Sequence, residues 1–300
     1  MQIGYIGLGS MGGALARRLQ LSLPLHVYDR DEAGIRGLAE AGATACSDVA
    51  DLAGRCDVVM LCLPTSEHVR EVVFGKGGLA EAARPGTLIV DQTTGDPTAT
   101  RSMSAALSAR GLDLIDAPVS GGPKGAQAGT IAIMVGGSLS HYERIEPVMR
   151  AISSNVFHTG EVGTGHVAKL ANNLVSAAQR VVAMEALALA VKNGMTPQKA
   201  LDVMKAGSAR NFFIDYMMEP HIISGKLASG FTLNLLHKDV RLACQLGIDS
   251  GSAMLYGNLT KEFLQIAINE WGPDTQVNAL ALVMDRLSGT HVVPADYTLT

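Results

Sequence analysis

The sequence predicts an α/β fold, in which an N-terminal doubly wound Rossmann sheet is followed by an all-α C-terminal domain. Three observations support this prediction. Short apolar segments alternate with helical patterns through the first half of the chain. Residues 1–165 contain 24 of the 33 glycines, which suits the many turns of such a sheet. The segment 166–193 contains no Gly or Pro and is rich in residues that favour helix.

The expected strands are mostly continuous runs of Val, Ile and Leu, which is typical of a sheet covered by helices on both faces. Their positions are Ile3–Ile6, Leu25–Tyr28, Val58–Leu63, Thr87–Val90, Leu112–Asp116, Ile131–Val135 and Val156–His158. The helical patterns between them fall near 11–20, 31–41, 66–74, 97–110 and 139–150.

One long helix is expected to open the second half, over residues 166–193. It is apolar over most of its circumference, so we expect it to be buried at the centre of a helical domain or in a subunit interface. Gly194 follows where a helix commonly ends. Further helical patterns fall near 197–206, 210–223, 232–247, 252–270 and 275–287. The glycines at 160–165 mark the boundary, which divides the chain into domains 1–162 and 163–300.

Composition excludes several classes of protein. The chain has 24 basic and 28 acidic residues, a net charge of −4, and lacks the basic stripe that a nucleic-acid partner requires. No run of about 18 uncharged apolar residues predicts a membrane span. The N-terminus has no signal-peptide pattern, so we expect a cytoplasmic protein. The four cysteines form no CxxC pair, and no His, Asp or Glu set has the spacing of metal ligands, so we expect no metal site.

A dinucleotide-binding fingerprint directly follows the first strand, as Gly7-Leu8-Gly9-Ser10-Met11-Gly12. In such a motif the first glycine permits a tight turn, the second lets a pyrophosphate approach, and the third lets the helix pack on the strand. Alone, the motif could be an ordinary glycine-rich turn. Asp29, at the end of the second strand, supports the functional interpretation, because a carboxylate there binds the adenosine ribose and repels a 2′-phosphate. We therefore expect NAD, with NADP possible because Arg30 is adjacent.

Further motifs extend over nearly the whole chain. They are DAPVSGG at 116–122, KGA at 124–126, the glycines at 160, 163 and 165 followed by Lys169, Asn172 and Asn173, and finally Phe231 with Lys238-Asp239. With the N-terminal fingerprint, this set resembles the β-hydroxyacid dehydrogenase family, which includes 3-hydroxyisobutyrate dehydrogenase and tartronate semialdehyde reductase. The resemblance implies reversible hydride transfer between NAD(P) and a small 3-hydroxy acid, by a homodimer or homotetramer.

Lys169 lies among apolar neighbours in a helix that should be buried, although a lysine on a helix is more often a solvated surface residue. Burial lowers the pKa of a lysine, which suits acid–base chemistry near neutral pH. Asn173 follows at i+4 and projects from the same helix face. The resemblance implies that Lys169 is the catalytic acid–base and that Asn173 is its positioning partner. His166 and His237, which flank the motifs, are interpreted as structural or solvent-facing.

The resemblance also implies the remaining site residues. It places the substrate carboxylate on Ser120, Gly121 and Gly122, a stretch that could otherwise be a plain turn between strands. Phe231 and Lys238 are expected at the substrate, although Lys238 and Asp239 could simply form an ion pair on a helix. The fingerprint, Asp29 and Arg30 are not the only expected cofactor contacts. The others are Leu63, Pro64, Thr94, Lys238 and Asp239.

Alternatives remain open at this point. The substrate could be tartronate semialdehyde or another short-chain semialdehyde. A 6-phosphogluconate dehydrogenase needs a larger helical domain than the roughly 135 residues after Gly165, and imine reductases generally lack a lysine at the Lys169 position. A non-catalytic NAD-binding protein would be a different class, against which the presence of Lys169 argues. Arg210 could meet a second anionic group of the substrate or lie on the surface.

Overall fold

The computed structural model describes residues 1–299. The chain forms two compact units, Met1–Lys169 and a second unit that begins at Leu170. This division falls inside one continuous helix, a few residues after the domain boundary that we predict at 162/163.

The first unit is built on a nine-stranded sheet. Its strands are Ile3–Ile6 (β1), Leu25–Tyr28 (β2), Thr44–Ala45 (β3), Val58–Leu61 (β4), Leu88–Asp91 (β5), Asp113–Asp116 (β6), Val119–Ser120 (β7), Ala132–Gly136 (β8) and Val156–Gly160 (β9). The order is β3-β2-β1-β4-β5-β6-β8-β7, with β9 paired to β8. Neighbours from β3 to β6 run parallel, and β8 runs antiparallel to β6 and β7. The parallel part has the strand order of a Rossmann fold, which confirms the predicted fold class.

All seven expected strands are present, and the sheet contains two more that are only two residues long, β3 and β7. The helices of this unit are Ser10–Gln20 (α1), Glu32–Ala39 (α2), Val49–Arg55 (α3), Ser66–Phe74 (α4), Leu79–Ala82 (α5), Pro97–Ser108 (α6), Gly122–Ala128 (α7) and Leu139–Ile152 (α8). The helices α3, α5 and α7 were not predicted from the sequence, because each is too short to show a helical period.

Two apolar clusters cover the two faces of the sheet. Val58 and Met60 belong to one cluster, and Val59 and Leu61 belong to the other. Successive side chains of a strand point to opposite faces, so β4 is buried on both sides. This double burial explains why its sequence is a continuous apolar run.

The second unit is helical. A long helix, Thr164–Lys192 (α9), enters it and is followed by Pro197–Ala206 (α10), the π-helix Phe213–Ile223, Leu233–Ser250 (α11), Leu255–Trp271 (α12), the short 3₁₀ helix Val277–Ala279 and Leu280–Ser288 (α13). Thr196 caps α10 by accepting the N–H of Lys199, and Pro197 occupies the first helical position. The helix expected at 210–223 is present from residue 213 onwards, and it has the wider π form.

The helix α9 is not buried on every side within the single chain, so the helical domain does not cover it completely, and its expected place in a subunit interface stays a prediction. Val175, Val182 and Leu189 are exposed and recur every seven residues, so they form one apolar stripe along the helix. By length and composition alone α9 could also cross a membrane, a criterion that core helices of water-soluble proteins also meet.

Candidate active site

The glycine-rich turn after β1 has the geometry that a dinucleotide requires. Gly7 has φ +93°, and a Cβ placed there would lie 2.3 Å from the Cys62 carbonyl oxygen. A Cβ at Gly12 would lie 1.9 Å from the Gly7 oxygen, so only glycine lets α1 start so close to the strand. Gly9 is different, because a Cβ there would meet nothing within 4 Å. The open space beside Gly9 at the start of α1 is where the fingerprint places the pyrophosphate.

Asp29 closes this turn from the end of β2. Its Oδ2 accepts the backbone N–H of Leu8 in a short hydrogen bond, and its Oδ1 accepts the N–H of Asp31 at 2.9 Å. The carboxylate is therefore fixed next to the fingerprint, as binding of a ribose diol requires. Arg30 is exposed beside it, Ser10 is exposed and Met11 is half-buried.

Two further loops lie at the carboxyl ends of β4 and β5. The backbone N–H of Leu63 donates to Thr93 Oγ1 at 3.1 Å, which ties the two loops together. Pro64 follows Leu63 and is exposed, and Thr94 is partly buried. Neighbouring carboxyl ends in a doubly wound sheet are where ligands bind, so these loops fit the expected cofactor position. Thr93, which links them, was missed by the sequence analysis.

The loop at Ser120–Gly122 follows β7. Gly121 has φ +137° and Gly122 has φ +65°, a left-handed backbone that other residues adopt only with strain. Both glycines are exposed, and Ser120 is partly buried. The absence of side chains at the two glycines leaves their backbone accessible to a ligand.

Lys169 lies in the second turn of α9 and is only 8% exposed. The start of this helix is held by Asp116, the last residue of β6. Asp116 Oδ1 accepts the N–H of Gly163 at 2.6 Å, and Oδ2 accepts the N–H of His166 at 2.7 Å. The first N–H groups of a helix lack partners within it, so this carboxylate acts as a cap supplied by the sheet.

A buried cluster of ionisable groups surrounds this cap. Asp91 and Asp116 end the neighbouring strands β5 and β6, and the imidazole of His166 lies 3.9 Å from each carboxylate. All three side chains are fully buried. Burial raises the pKa of the Asp91 carboxyl, an effect that His166 partly opposes. His166 is therefore not solvent-facing, and the sequence signal for the cluster was an aspartate at the end of two successive apolar runs.

In the second unit, Asn173 belongs to a polar chain of contacts. Its Nδ2 donates to Asp239 Oδ2 at 2.6 Å, and Asp239 Oδ1 lies 3.0 Å from the ammonium of Lys238. Asn172 Nδ2 donates to Asn173 Oδ1 at 3.0 Å, which fixes the orientation of the amide. Asn173, Lys238 and Asp239 are thus brought together by α9 and α11.

Other expected residues of this unit have different surroundings. Phe231 is half-buried, and its carbonyl accepts the N–H of Val277 at 2.8 Å. Arg210 is exposed and lies 3.3 Å from Asp215, so its charge already has a partner within the unit. The structure therefore favours the surface interpretation of Arg210 over a contact with a second substrate anion.

Arg180, which the sequence analysis did not select, is a buried cation in the same helix as Asn173. Its Nη1 donates to Asn278 Oδ1, and its guanidinium lies 4.6 Å from the centroid of the Phe213 ring. Burial lowers its pKa to about 10. His166, Lys169, Asn173 and Arg180 are all buried and share one face of α9, since their spacing is 3, 4 and 7 residues. The helix is therefore apolar in composition but has one polar stripe.

Within residues 1–299 no group of three or more His, Cys, Asp or Glu side chains could hold a metal ion. The four cysteines are free thiols. Burial raises the pKa of the Cys62 thiol, which lies next to the glycine turn, to about 12. This thiol is therefore not the kind that acts as a nucleophile near neutral pH.

The Rossmann sheet, the open glycine turn and the fixed carboxylate of Asp29 define a protein that binds a dinucleotide. Comparisons with known proteins agree. Residues 2–160 match the NAD binding domain of 6-phosphogluconate dehydrogenase. Residues 163–284 match a domain described as NAD-binding of NADP-dependent 3-hydroxyisobutyrate dehydrogenase.

Individual relatives make the assignment more specific. The chain is 38% identical to 2-(hydroxymethyl)glutarate dehydrogenase of Eubacterium barkeri, over 82% of both chains. It is 34% identical to NAD-dependent L-serine dehydrogenase of Pseudomonas aeruginosa, over 96% of this chain and 99% of the relative. The solved structure of Mycobacterium tuberculosis 3-hydroxyisobutyrate dehydrogenase with L-serine has a TM-score of 0.84 and 29% identity, and covers 95% of this chain and 99% of that one.

The chain belongs to the β-hydroxyacid dehydrogenase family. It is an NAD(P)-dependent oxidoreductase that acts on the CH–OH group of a hydroxy acid.

Proposed function

We propose that the substrate is a 3-hydroxypropanoate with a small substituent at C2, of which 3-hydroxyisobutyrate is the simplest expected case. The substrates named for three similar proteins support this class. 3-Hydroxyisobutyrate, L-serine and 2-(hydroxymethyl)glutarate share a primary hydroxyl and a carboxylate on adjacent carbons, and differ in the group at C2. A site that holds the shared part and tolerates different C2 groups explains all three names.

The buried position of Lys169 is the observation that carries the proposed mechanism. Burial of an amine costs free energy, so a lysine that is only 8% exposed indicates a specific task for that amine. We assign it as the general base that takes the proton of the substrate hydroxyl during oxidation and returns it during reduction. The ammonium that forms as the amine takes this proton stabilises the alkoxide character of the transition state.

Ser120, Gly121 and Gly122 are proposed to bind the substrate carboxylate. The serine hydroxyl is one donor, and the backbone N–H groups of the two glycines supply others. Carboxylate binding at this loop fixes the distance between the carboxylate and the hydroxyl carbon. It therefore favours substrates in which the carboxylate and the hydroxyl are attached to adjacent carbons.

The second set of proposed site residues lies in the second unit and consists of Asn173, Asp239, Lys238 and Phe231. Asn173 follows Lys169 by one turn on the same face of α9, and its amide is oriented by Asp239. Lys238 adds a cation beside Asp239, which suits an anionic substrate or the cofactor. Phe231 supplies an apolar surface suited to a small C2 group.

NAD is the proposed cofactor, with NADP as the alternative. When bound, the nicotinamide ring accepts or supplies the hydride. Asp29 supports NAD, because a fixed carboxylate binds ribose hydroxyls and repels a 2′-phosphate. The exposed Arg30 is the feature that would accommodate NADP.

A homodimer or homotetramer is also proposed, with the exposed stripe of Val175, Val182 and Leu189 on α9 in the contact between copies. Size-exclusion chromatography with light scattering tests it, since a monomer at micromolar concentration would contradict it. We propose a cytoplasmic location, which the free state of all four cysteines supports and fractionation of the native cell tests.

A substrate panel tests the proposed function. NAD⁺ and NADP⁺ reduction is followed at 340 nm with 3-hydroxyisobutyrate, L-serine, glycerate, 2-(hydroxymethyl)glutarate and 4-hydroxybutyrate. We expect turnover of acids with a hydroxyl on C3 and little turnover of 4-hydroxybutyrate, in which hydroxyl and carboxylate are one carbon further apart. Absence of turnover with every 3-hydroxy acid would reject the proposal.

A further inference from the structure

His166 is a buried imidazole that lies one helical turn before Lys169 on the same face of α9. Its side chain is completely inaccessible to solvent, so it cannot contact substrate or cofactor directly. Lys169 directly follows the first turn of the helix, whose N–H groups have no partners within the helix. The position of Lys169 therefore depends on what holds the first turn.

The two ring nitrogens of His166 bind two different parts of one segment. Nε2 donates to the carbonyl oxygen of Thr93 at 2.9 Å, and Nδ1 lies 3.1 Å from the hydroxyl of Thr100. Thr93 lies in the loop after β5, and Thr100 lies in the first turn of α6. The ring thus bridges the start of α9 and the loop that carries Thr94, one of the proposed cofactor contacts.

Packing around the ring is tight. A Cβ built on Gly95, in the same loop, would lie 3.0 Å from His166 Cε1. The carboxylates of Asp91 and Asp116 flank the two nitrogens at 3.9 Å. The imidazole therefore has contacts on several sides and cannot shift without moving the loop or the helix.

We propose that His166 is a positioning residue, which holds Lys169 in register with the loop after β5 through its hydrogen bond to the Thr93 carbonyl. This inference rests on the proposed role of Lys169. Asp116 fixes the backbone at the start of α9, and His166 fixes its rotation and distance relative to the loop. A small displacement of an acid–base group reduces the rate of the chemical step without weakening cofactor binding.

Three substitutions separate the two ring contacts. In His166→Gln the amide nitrogen can occupy the Nε2 position and still donate to Thr93. In His166→Asn the amide can replace only the Nδ1 contact, and in His166→Ala both contacts are lost. We expect kcat to fall roughly 10–100-fold in the Asn and Ala variants and to stay within about threefold of wild type in the Gln variant. The KM for NAD⁺ should be nearly unchanged in all three.

An isotope effect distinguishes positioning from a general loss of stability. With a substrate deuterated at the hydroxyl carbon, the Asn variant should show a larger isotope effect on kcat than wild type, since its chemical step has become slower. The matched control is His158→Asn, because His158 also binds a carbonyl, that of Gly137 at 2.7 Å, but lies in β9. The control should change neither kcat nor the isotope effect.

The proposal is overturned if the folded Asn variant has the kcat of wild type, or if the Gln variant is as slow as the Ala variant. A second readout does not depend on turnover. The rate at which acetic anhydride labels Lys169, followed by peptide mass spectrometry in wild type and His166→Asn, should change by more than about threefold if His166 positions the amine. An unchanged labelling rate rejects the inference about His166. If wild type oxidises none of the acids in the panel, that result rejects only the proposed function, and the labelling rate still tests the role of His166.

Discussion

Asp116 accepts the backbone N–H of His166 at 2.7 Å, so the last residue of strand β6 holds the start of the helix that carries Lys169. The same carboxylate accepts the N–H of Gly163 at 2.6 Å. These bonds are buried and charge-assisted, and they lie at the positive end of the helix dipole. The Asp116 side chain therefore links the end of β6 to the start of the proposed catalytic helix at two backbone positions.

Replacement of Asp116 by Ala should destabilise the first unit. Two buried N–H groups lose their partner, which costs about 2–4 kcal/mol in total. Urea unfolding followed by circular dichroism measures the change. The control is Asp113→Ala in the same strand, where the side chain is partly exposed and the loss should be below about 0.5 kcal/mol. Equal losses in the two variants would contradict the capping role.

The contrast between Asp116 and the glycine turn shows how much of this site could be predicted from sequence. The spacing of Gly7, Gly9 and Gly12 is local, so the motif itself predicts the turn and its position after β1. The Asp116 cap joins residues 47 positions apart along the chain, and no local pattern records such a contact.

The buried and exposed faces of α9 could not be predicted from sequence for a related reason. Composition predicts an apolar helix, but only packing decides which face is covered. Val182 is exposed while Arg180 is buried, the reverse of what hydropathy alone indicates. Arg180 is accommodated because its guanidinium lies over the Phe213 ring and donates to Asn278, two partners that are distant in sequence. The π form of residues 213–223 could likewise not be predicted, because the hydrophobic period of the sequence does not distinguish a π-helix from an α-helix.

Asp91→Asn should change the pH dependence of stability. Burial raises the pKa of Asp91 above its ordinary value of 3.8, so between pH 3.8 and the raised pKa the folded protein binds more protons than the unfolded chain. The contribution of this group to stability is fully present below pH 3.8 and is lost as pH rises through the raised pKa. Asn keeps an oxygen for the Thr93 N–H, which Asp91 Oδ1 accepts at 2.9 Å, and carries no charge.

We therefore expect the Tm of the Asn variant, relative to wild type, to increase from pH 4 upwards and then to become constant. Differential scanning fluorimetry across pH 4–8 gives both curves. Asp57→Asn, a partly exposed carboxylate, is the control and should show no such rise. A relative Tm that falls with increasing pH would show that the charged form of Asp91 is the stabilising one, through its pairing with His166.

Lys169→Ala should abolish most turnover but leave the cofactor bound. Loss of a positioned acid–base group lowers kcat by about 10²–10⁴-fold. NADH affinity, measured by fluorescence titration, should change little, since the glycine turn and Asp29 are untouched. Lys192→Ala at the other end of α9 is the control and should have wild-type kcat. A Lys169→Ala enzyme with turnover within about threefold of wild type would reject the assigned role.

Asp29→Ser should weaken discrimination between the two cofactors. The substitution removes the negative charge that repels a 2′-phosphate and also one partner of the Leu8 N–H. We expect KM for NAD⁺ to rise about tenfold, a change of roughly 1.4 kcal/mol, and the NAD⁺/NADP⁺ preference in kcat/KM to fall by a similar factor. Steady-state kinetics with both cofactors measure it, with Glu32→Gln, an exposed charge on α2, as control. A preference for NADP⁺ already present in wild type would contradict the role of Asp29.

Two alanine substitutions in the same motif should fail in different ways. At Gly9 the new methyl group meets no protein atom within 4 Å, so Gly9→Ala should fold with a Tm near that of wild type. It fills the space proposed for the pyrophosphate, and NADH affinity should fall at least about tenfold. At Gly12 the methyl group would lie 1.9 Å from the Gly7 oxygen, so Gly12→Ala must distort the turn and should lower Tm. Thermal unfolding with and without NADH separates the two effects, because ligand stabilisation is lost in Gly9→Ala while the unliganded Tm is kept. If Gly9→Ala gained as much stability from NADH as wild type, the dinucleotide would lie elsewhere.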